Sequence, residues 1–128
     1  MTKLNSQKLQ DIHQKILAFN VPRGWKPSPQ SLAKSVVIEA AELLEHFQWD
    51  NDDTPTKTKD VKEIGFEIAD VFWYLFELAD MMNIDIVESL VSKYQHNDTK
   101  YPTKAFNGKE NPDFYYAQKK KYRQSKKK

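Results

Sequence analysis

Within this 128-residue chain, one segment restricts the fold more than any other. Val71-Phe72-Trp73-Tyr74-Leu75-Phe76 is apolar or aromatic at every position, so a helix built from it has no side suited to bulk water. Such a helix is covered on several sides or crosses a membrane. Glu67, Asp70, Glu77 and Asp80 occupy the same run, and a central Asp alone costs about 2.5 to 3.5 kcal/mol in lipid. The remaining solution is a central bundle helix with one side covered by another subunit. The expectation is an all-α four-helix bundle in a homo-oligomer, with no membrane partner.

The flanking sequence supplies the other helices. Leu4, Leu9, Ile12, Ile16 and Leu17 recur with helical spacing and lack a signal-peptide pattern, so residues 5–19 are expected to form a first amphipathic helix. Pro22, Gly24, Pro27 and Pro29 force an irregular connection. A second helix is expected from near Ser28, with Pro29 in its first turn, to about Phe47. Residues 50–59 read as a polar loop. The third helix runs from about Asp60 to Met82, with Asp60 and Glu63 in capping-box spacing. Asp85 and Glu88 repeat that spacing and open a fourth, about 86–97. Residues 102–118 are expected to be extended or in short helical pieces. The single domain spans 1–118, and the Lys-rich end, 119–128, is an irregular basic tail expected to be disordered.

Charge narrows the function classes once it is divided along the chain. The formal net charge of +2 and pI near 8.7 suggest a binder of nucleic acid or anionic surfaces. Residues 119–128, however, hold seven bases and no acid, which leaves the body acidic. From Glu63 to Ser92 there are seven acids and no Lys or Arg. The absence of Cys removes disulfides, thiolate zinc sites and Cys nucleophiles, and fits a cytoplasmic protein. Three glycines leave no material for a P-loop or dinucleotide fingerprint.

The acids form a pattern. Glu39 and Glu42 are three apart on the second helix, and Glu67 and Asp70 are three apart on the third. At about 100° per residue, Glu63, Glu67, Asp70, Tyr74 and Glu77 fall within roughly 80° of one another. An ordinary solvated face is the competing reading. Against it, like charges at this spacing destabilise a helix, and the flanking residues are among the most apolar in the chain. Carboxylates in such a place hold hard divalent cations through oxygen, and two antiparallel helices can offer them inward. Without Cys or a Glu-x-x-His pair, zinc and iron are disfavoured and Mg²⁺ is expected.

These residues also carry a resemblance. Ile38-Glu39-Ala40-Ala41-Glu42-Leu43, then Phe47-Gln48-Trp49, then Glu67-Ile68-Ala69-Asp70-Val71 resembles the MazG-like all-α nucleoside triphosphate pyrophosphohydrolases. Arg23-Gly24-Trp25 upstream, and Lys93, Asn97 and Lys100-Tyr101-Pro102 downstream, agree with it, so it covers about residues 17–108. It is nearest to the small single-domain branch that includes the dCTP pyrophosphatases. Ile38 stands where many members have a Glu, and Pro29 where the small branch often has a His.

The resemblance implies hydrolysis of a (deoxy)nucleoside triphosphate between its α- and β-phosphates, giving a monophosphate and pyrophosphate. It implies Glu39, Glu42, Glu67 and Asp70 as Mg²⁺ ligands, with Glu39 or Glu42 also accepting the proton of the attacking water. Lys93 and Lys100 would meet the phosphates, with Asn97 and Tyr101 beside them. Trp25, Trp49 and Phe19 would form a base pocket by stacking, whereas Trp73 and Tyr74 read as packing. His13, His46 and His96 lack metal-ligand spacing. The family uses dimers and tetramers. The alternative is a nucleic-acid-associated helical protein whose arm combines Phe114-Tyr115-Tyr116 with the basic end; the acidic body makes a nucleic-acid partner the weaker expectation.

Overall fold

The structure, a computed structural model, describes residues 6–51 and 59–126. Among these residues the regular elements are all helical. They are α1 (Ser6–Phe19), a 3₁₀ turn (Val21–Arg23), α2 (Pro29–Glu45), α3 (Val61–Met81), α4 (Ile86–Lys100), α5 (Thr103–Phe106) and α6 (Pro112–Ser125). The all-α expectation holds, with all four expected helices within a few residues of their places. No described helix is long and apolar enough to cross a membrane. The chain divides into two compact units, residues 1–85 and 86–128.

In the first unit, local chemistry fixes where each helix begins. Ser28 caps α2 by accepting from the Ser31 amide, and Ser31 Oγ in turn accepts from the Ser28 amide, while Pro29 occupies the first turn. Asp60 caps α3 through the amides of Lys62 and Glu63. A cap of this kind stabilises a helix by about 1 kcal/mol. Between α1 and α2, Gly24 takes φ +68, a conformation strained for any residue with a Cβ, and lets the chain reverse at the foot of α1. Most of the expected polar loop lies outside the described residues, but its ends are tied together. Lys59 pairs with Asp50, donates to the His46 carbonyl and sits over the Phe47 ring.

α2 and α3 form the main helix pair, and α1 crosses α3. The pair is antiparallel: Glu39 meets Glu67 and Asp70 near one end, while Leu32 shares a cavity with Trp73 and Glu77 toward the other. Only Ile16, Leu32 and Ala79 are buried apolar residues among those described. Much of the apolar surface of α2 and α3 is open in the single chain, with Val37 69%, Phe66 54% and Phe72 54% exposed.

The second unit corrects the reading of the C-terminal end. Pro112–Ser125 is a continuous helix, so the described part of the basic tail is neither irregular nor disordered, and residues 102–118 are more helical than expected. Asn111 caps α6 by accepting from the Phe114 amide, Pro112 sits in the first turn, Asp113 follows it and Arg123 lies in the last turn. That arrangement matches the helix dipole at both ends. Aromatic contacts then hold α6 to its own unit. Tyr115 stacks on Tyr101 with centroids 5.3 Å apart, Phe114 meets Phe106 edge-on at 5.4 Å, and Tyr122 lies 5.3 Å from His96. Low mean hydropathy concealed a helix that packs through rings.

Candidate active site

The acidic stripe of α3 faces α2, and three of the four expected ligands converge. One carboxylate oxygen from each of Glu39, Glu67 and Asp70 lies within 4.8 Å of the others. Among the described residues this is the group of three or more potential ligands the structure brings together, and it contains no His. Glu39 and Glu67 are half-buried and Asp70 is exposed, so the cluster has one open side. Glu42 is exposed and falls outside the three. Its charge still reaches the cluster: the Glu39 carboxyl is held above its ordinary range by burial, then by Glu42, Asp70 and Glu67.

This donor set suits a hard divalent cation. It is all oxygen, and the burial and mutual repulsion that hold the Glu39 carboxyl above its ordinary range are what a shared divalent cation would relieve.

Beside the cluster, in the same unit, is a cavity of about 670 Å³. Asp70 joins it to the carboxylates. Trp25, Trp73 and Leu32 give it apolar walls, and Tyr74, Asn20 and Glu77 give it polar ones. A cavity of this size with a few convergent polar groups fits a small organic ligand. Phe19 fixes the aromatic wall, meeting Trp73 edge-on at 4.9 Å and Trp25 at 6.1 Å, while the Arg23 guanidinium covers its outer face at 3.5 Å. Trp25 remains 60% exposed, so one face of its indole is available at the rim.

The structure separates the other expected residues. Of the three residues expected around a base, Trp25 and Phe19 line the cavity and Trp49, 88% exposed, does not. Trp73 and Tyr74, read as packing, are cavity residues, and Trp73 also packs on Phe19. Lys93, Asn97, Lys100 and Tyr101 belong to the second unit. There the Lys100 ammonium lies 5.0 Å from the Tyr101 ring and 4.1 Å from the Tyr122 ring.

Asn20 and Glu77 were given no role from sequence, and Tyr74 was read only as packing. Tyr74 and Glu77 lie on the acidic stripe, so periodicity pointed at them, but the four-carboxylate pattern stops at Asp70. The Tyr74 hydroxyl is kept protonated to higher pH by burial, then by Glu39, Asp70 and Glu77. It therefore keeps its O–H as a hydrogen-bond donor on the wall of the cavity that Asp70 also lines. Asn20 gives no local signal, since only the turn after α1 brings it against α3.

Known proteins resemble the chain in sequence and in fold. The model of the MazG-like family matches residues 34–112, which include both acidic motifs. Over 100 residues the chain is 32% identical to mouse (Mus musculus) dCTP pyrophosphatase 1 and 31% identical to the human (Homo sapiens) protein. Those alignments cover 73% of this chain and 59% of the relatives, so the chain spans little more than half the length of the curated proteins it matches. A pyrophosphatase from Archaeoglobus fulgidus, known from its crystal structure, is similar with a TM-score of 0.69 and 33% identity. That match covers 80% of this chain and 99% of the other.

Proposed function

The chain belongs to the MazG-like family, and from that premise we propose that it is a Mg²⁺-dependent nucleotide pyrophosphohydrolase. Its substrate would be a deoxynucleoside triphosphate, dCTP among the candidates because relatives carry that name, and its role the housekeeping of the nucleotide pool in the cytoplasm. The observation that carries the reading is the convergence of Glu39, Glu67 and Asp70 at the edge of a cavity with aromatic walls.

Glu39, Glu67 and Asp70 would hold the ion. Bound there, Mg²⁺ supplies neutralisation of phosphate oxygens and a coordinated water of lowered pKa. The chain's own groups do the rest. Glu42, exposed beside the three and outside their tight set, would accept the proton of the attacking water. Tyr74 donates a hydrogen bond to a ligand leaving the cluster for the cavity. Trp25 offers a stacking face, and the apolar wall of Leu32 and Trp73 excludes water from the base. Lys93 and Lys100, with Asn97 and Tyr101, are the residues that the resemblance assigns to the phosphates. The exposed faces of α2 and α3 are the surface on which a second copy would assemble a dimer, or two pairs a tetramer.

A panel of canonical and modified nucleoside triphosphates tests the reaction. With Mg²⁺ the expected products are a monophosphate and pyrophosphate, and none with excess chelator. Release of single phosphates, or turnover that persists in chelator, contradicts the reading. Light scattering after gel filtration tests the assembly, and a monomer at micromolar concentration would exclude it.

A further inference from the structure

Glu77 has no part in the metal cluster, yet it is the one charged side chain that is buried among the described residues, at 7% exposure. Withdrawing a carboxylate from water is costly unless a cation or hydrogen bonds replace the solvent. No Lys or Arg among the described residues pairs with it. Its partner is neutral: Asn20 Nδ2 donates to Glu77 Oε1 at 2.5 Å. A carboxylate offers about four acceptor sites, so one bond from Asn20 leaves acceptor capacity at the wall of the cavity that both residues line.

The position has a scale. Glu77 is two helical turns beyond Asp70 on the same face of α3, about 10.5 Å along the axis. That is comparable to the reach of a nucleotide from its α-phosphate to the far edge of its base. Trp25 and Trp73 line the same cavity as Asp70 and Glu77.

We propose that Glu77, oriented by Asn20, reads the edge of the base and selects nucleotides whose base carries an exocyclic amino group. The proposal rests on the nucleotide reading above. Carboxylates accept from the amino group of cytosine and its counterparts in adenine and guanine. Thymine and uracil flank their single ring N–H with two carbonyl oxygens, which meet a carboxylate like against like. A site built around one buried hydrogen-bonding group rejects the ligand that cannot satisfy it.

Binding of dCMP and dTMP, followed by intrinsic Trp fluorescence with Mg²⁺ present, tests the selection without requiring turnover. The wild-type chain is expected to bind dCMP at least about tenfold more tightly than dTMP. Glu77→Gln keeps the shape but adds a donor, so it should bring the two within about twofold, mainly by improving dTMP. Asn20→Ala leaves the carboxylate in place without its orienting partner and should reduce the ratio about threefold; it decides the matter if Glu77→Gln does not fold. Equal wild-type affinities, an unchanged ratio in the folded variants, or equal weakening of both ligands overturns the proposal. Preference without hydrolysis of any triphosphate contradicts the function above and leaves this selection standing. Hydrolysis without preference removes the selection alone.

Discussion

Helices α3 and α6 each carry a run of like charge, and the chain treats the two runs in opposite ways. In α3 three of the five acids are turned toward other elements: Glu67 and Asp70 join Glu39 within 4.8 Å, and Glu77 is buried against Asn20. In α6 the bases mostly face outward. Lys119 and Lys126 lie over Tyr115 and Tyr122 of their own unit, at 5.2 and 4.8 Å. Concentrated charge that is withdrawn from solvent raises carboxyl pKa values and demands a partner, whereas exposed charge is screened and costs little. On this distinction the proposed function is assigned to α3, although α6 dominates the pI.

The largest effect expected from this contrast comes from breaking the α3 cluster. Asp70→Asn should reduce turnover by at least about 10²-fold, roughly 3 kcal/mol of barrier. In the metal-free protein the same change removes a repulsive charge beside Glu39, so its melting temperature should stay level or rise. Lost activity together with a large drop in metal-free stability would mean that Asp70 is structural.

Tyr74→Phe is expected to act more mildly. Losing one hydrogen bond to the ligand should lower kcat/KM about five- to tenfold while Mg²⁺ binding is retained. Steady-state kinetics beside a metal titration separates the two effects.

Glu77 sharpens the comparison through pH. Burial raises its carboxyl above the ordinary 4.5, with the Asn20 hydrogen bond opposing. The native state therefore holds this proton more tightly than the unfolded chain does. Its contribution to stability is present below pH 4.5 and is lost as pH rises through the elevated pKa. Glu77→Gln should flatten that decline, so its melting temperature gains on the wild type between pH 4.5 and 7. Parallel curves would show that burial imposes no such cost.

The smallest effect is expected on α6. Neutralising Lys120, Lys121 and Arg123 to Gln should change turnover by less than about twofold, because these side chains are exposed. A large loss, or salt-sensitive binding of nucleic acid that disappears with the three changes, would assign α6 the functional role instead.

The helices around the cluster were legible because their signals are local and periodic. Ser28 with Pro29, Asp60 as a cap and the stripe from Glu63 to Glu77 can be read over a few turns. The convergence of Glu39 with Glu67 and Asp70 followed from pairing two such stripes. Asn20 against Glu77 was not legible, since the turn at Gly24 and the crossing of α1 over α3 are tertiary facts. α6 was misread for a different reason. A Lys-rich composition argued for disorder, and the value of Tyr115 and Tyr122 depends on Tyr101 and His96 being in place.

The central claim is that Glu39, Glu67 and Asp70 form a divalent-cation centre, and titration calorimetry with Mg²⁺ in the absence of nucleotide tests it most directly. The wild-type chain and Glu42→Gln should both bind, while Glu39→Gln, Glu67→Gln and Asp70→Asn should lose binding at least about tenfold. Unchanged Mg²⁺ affinity in those three variants, each shown to be folded, would contradict the account.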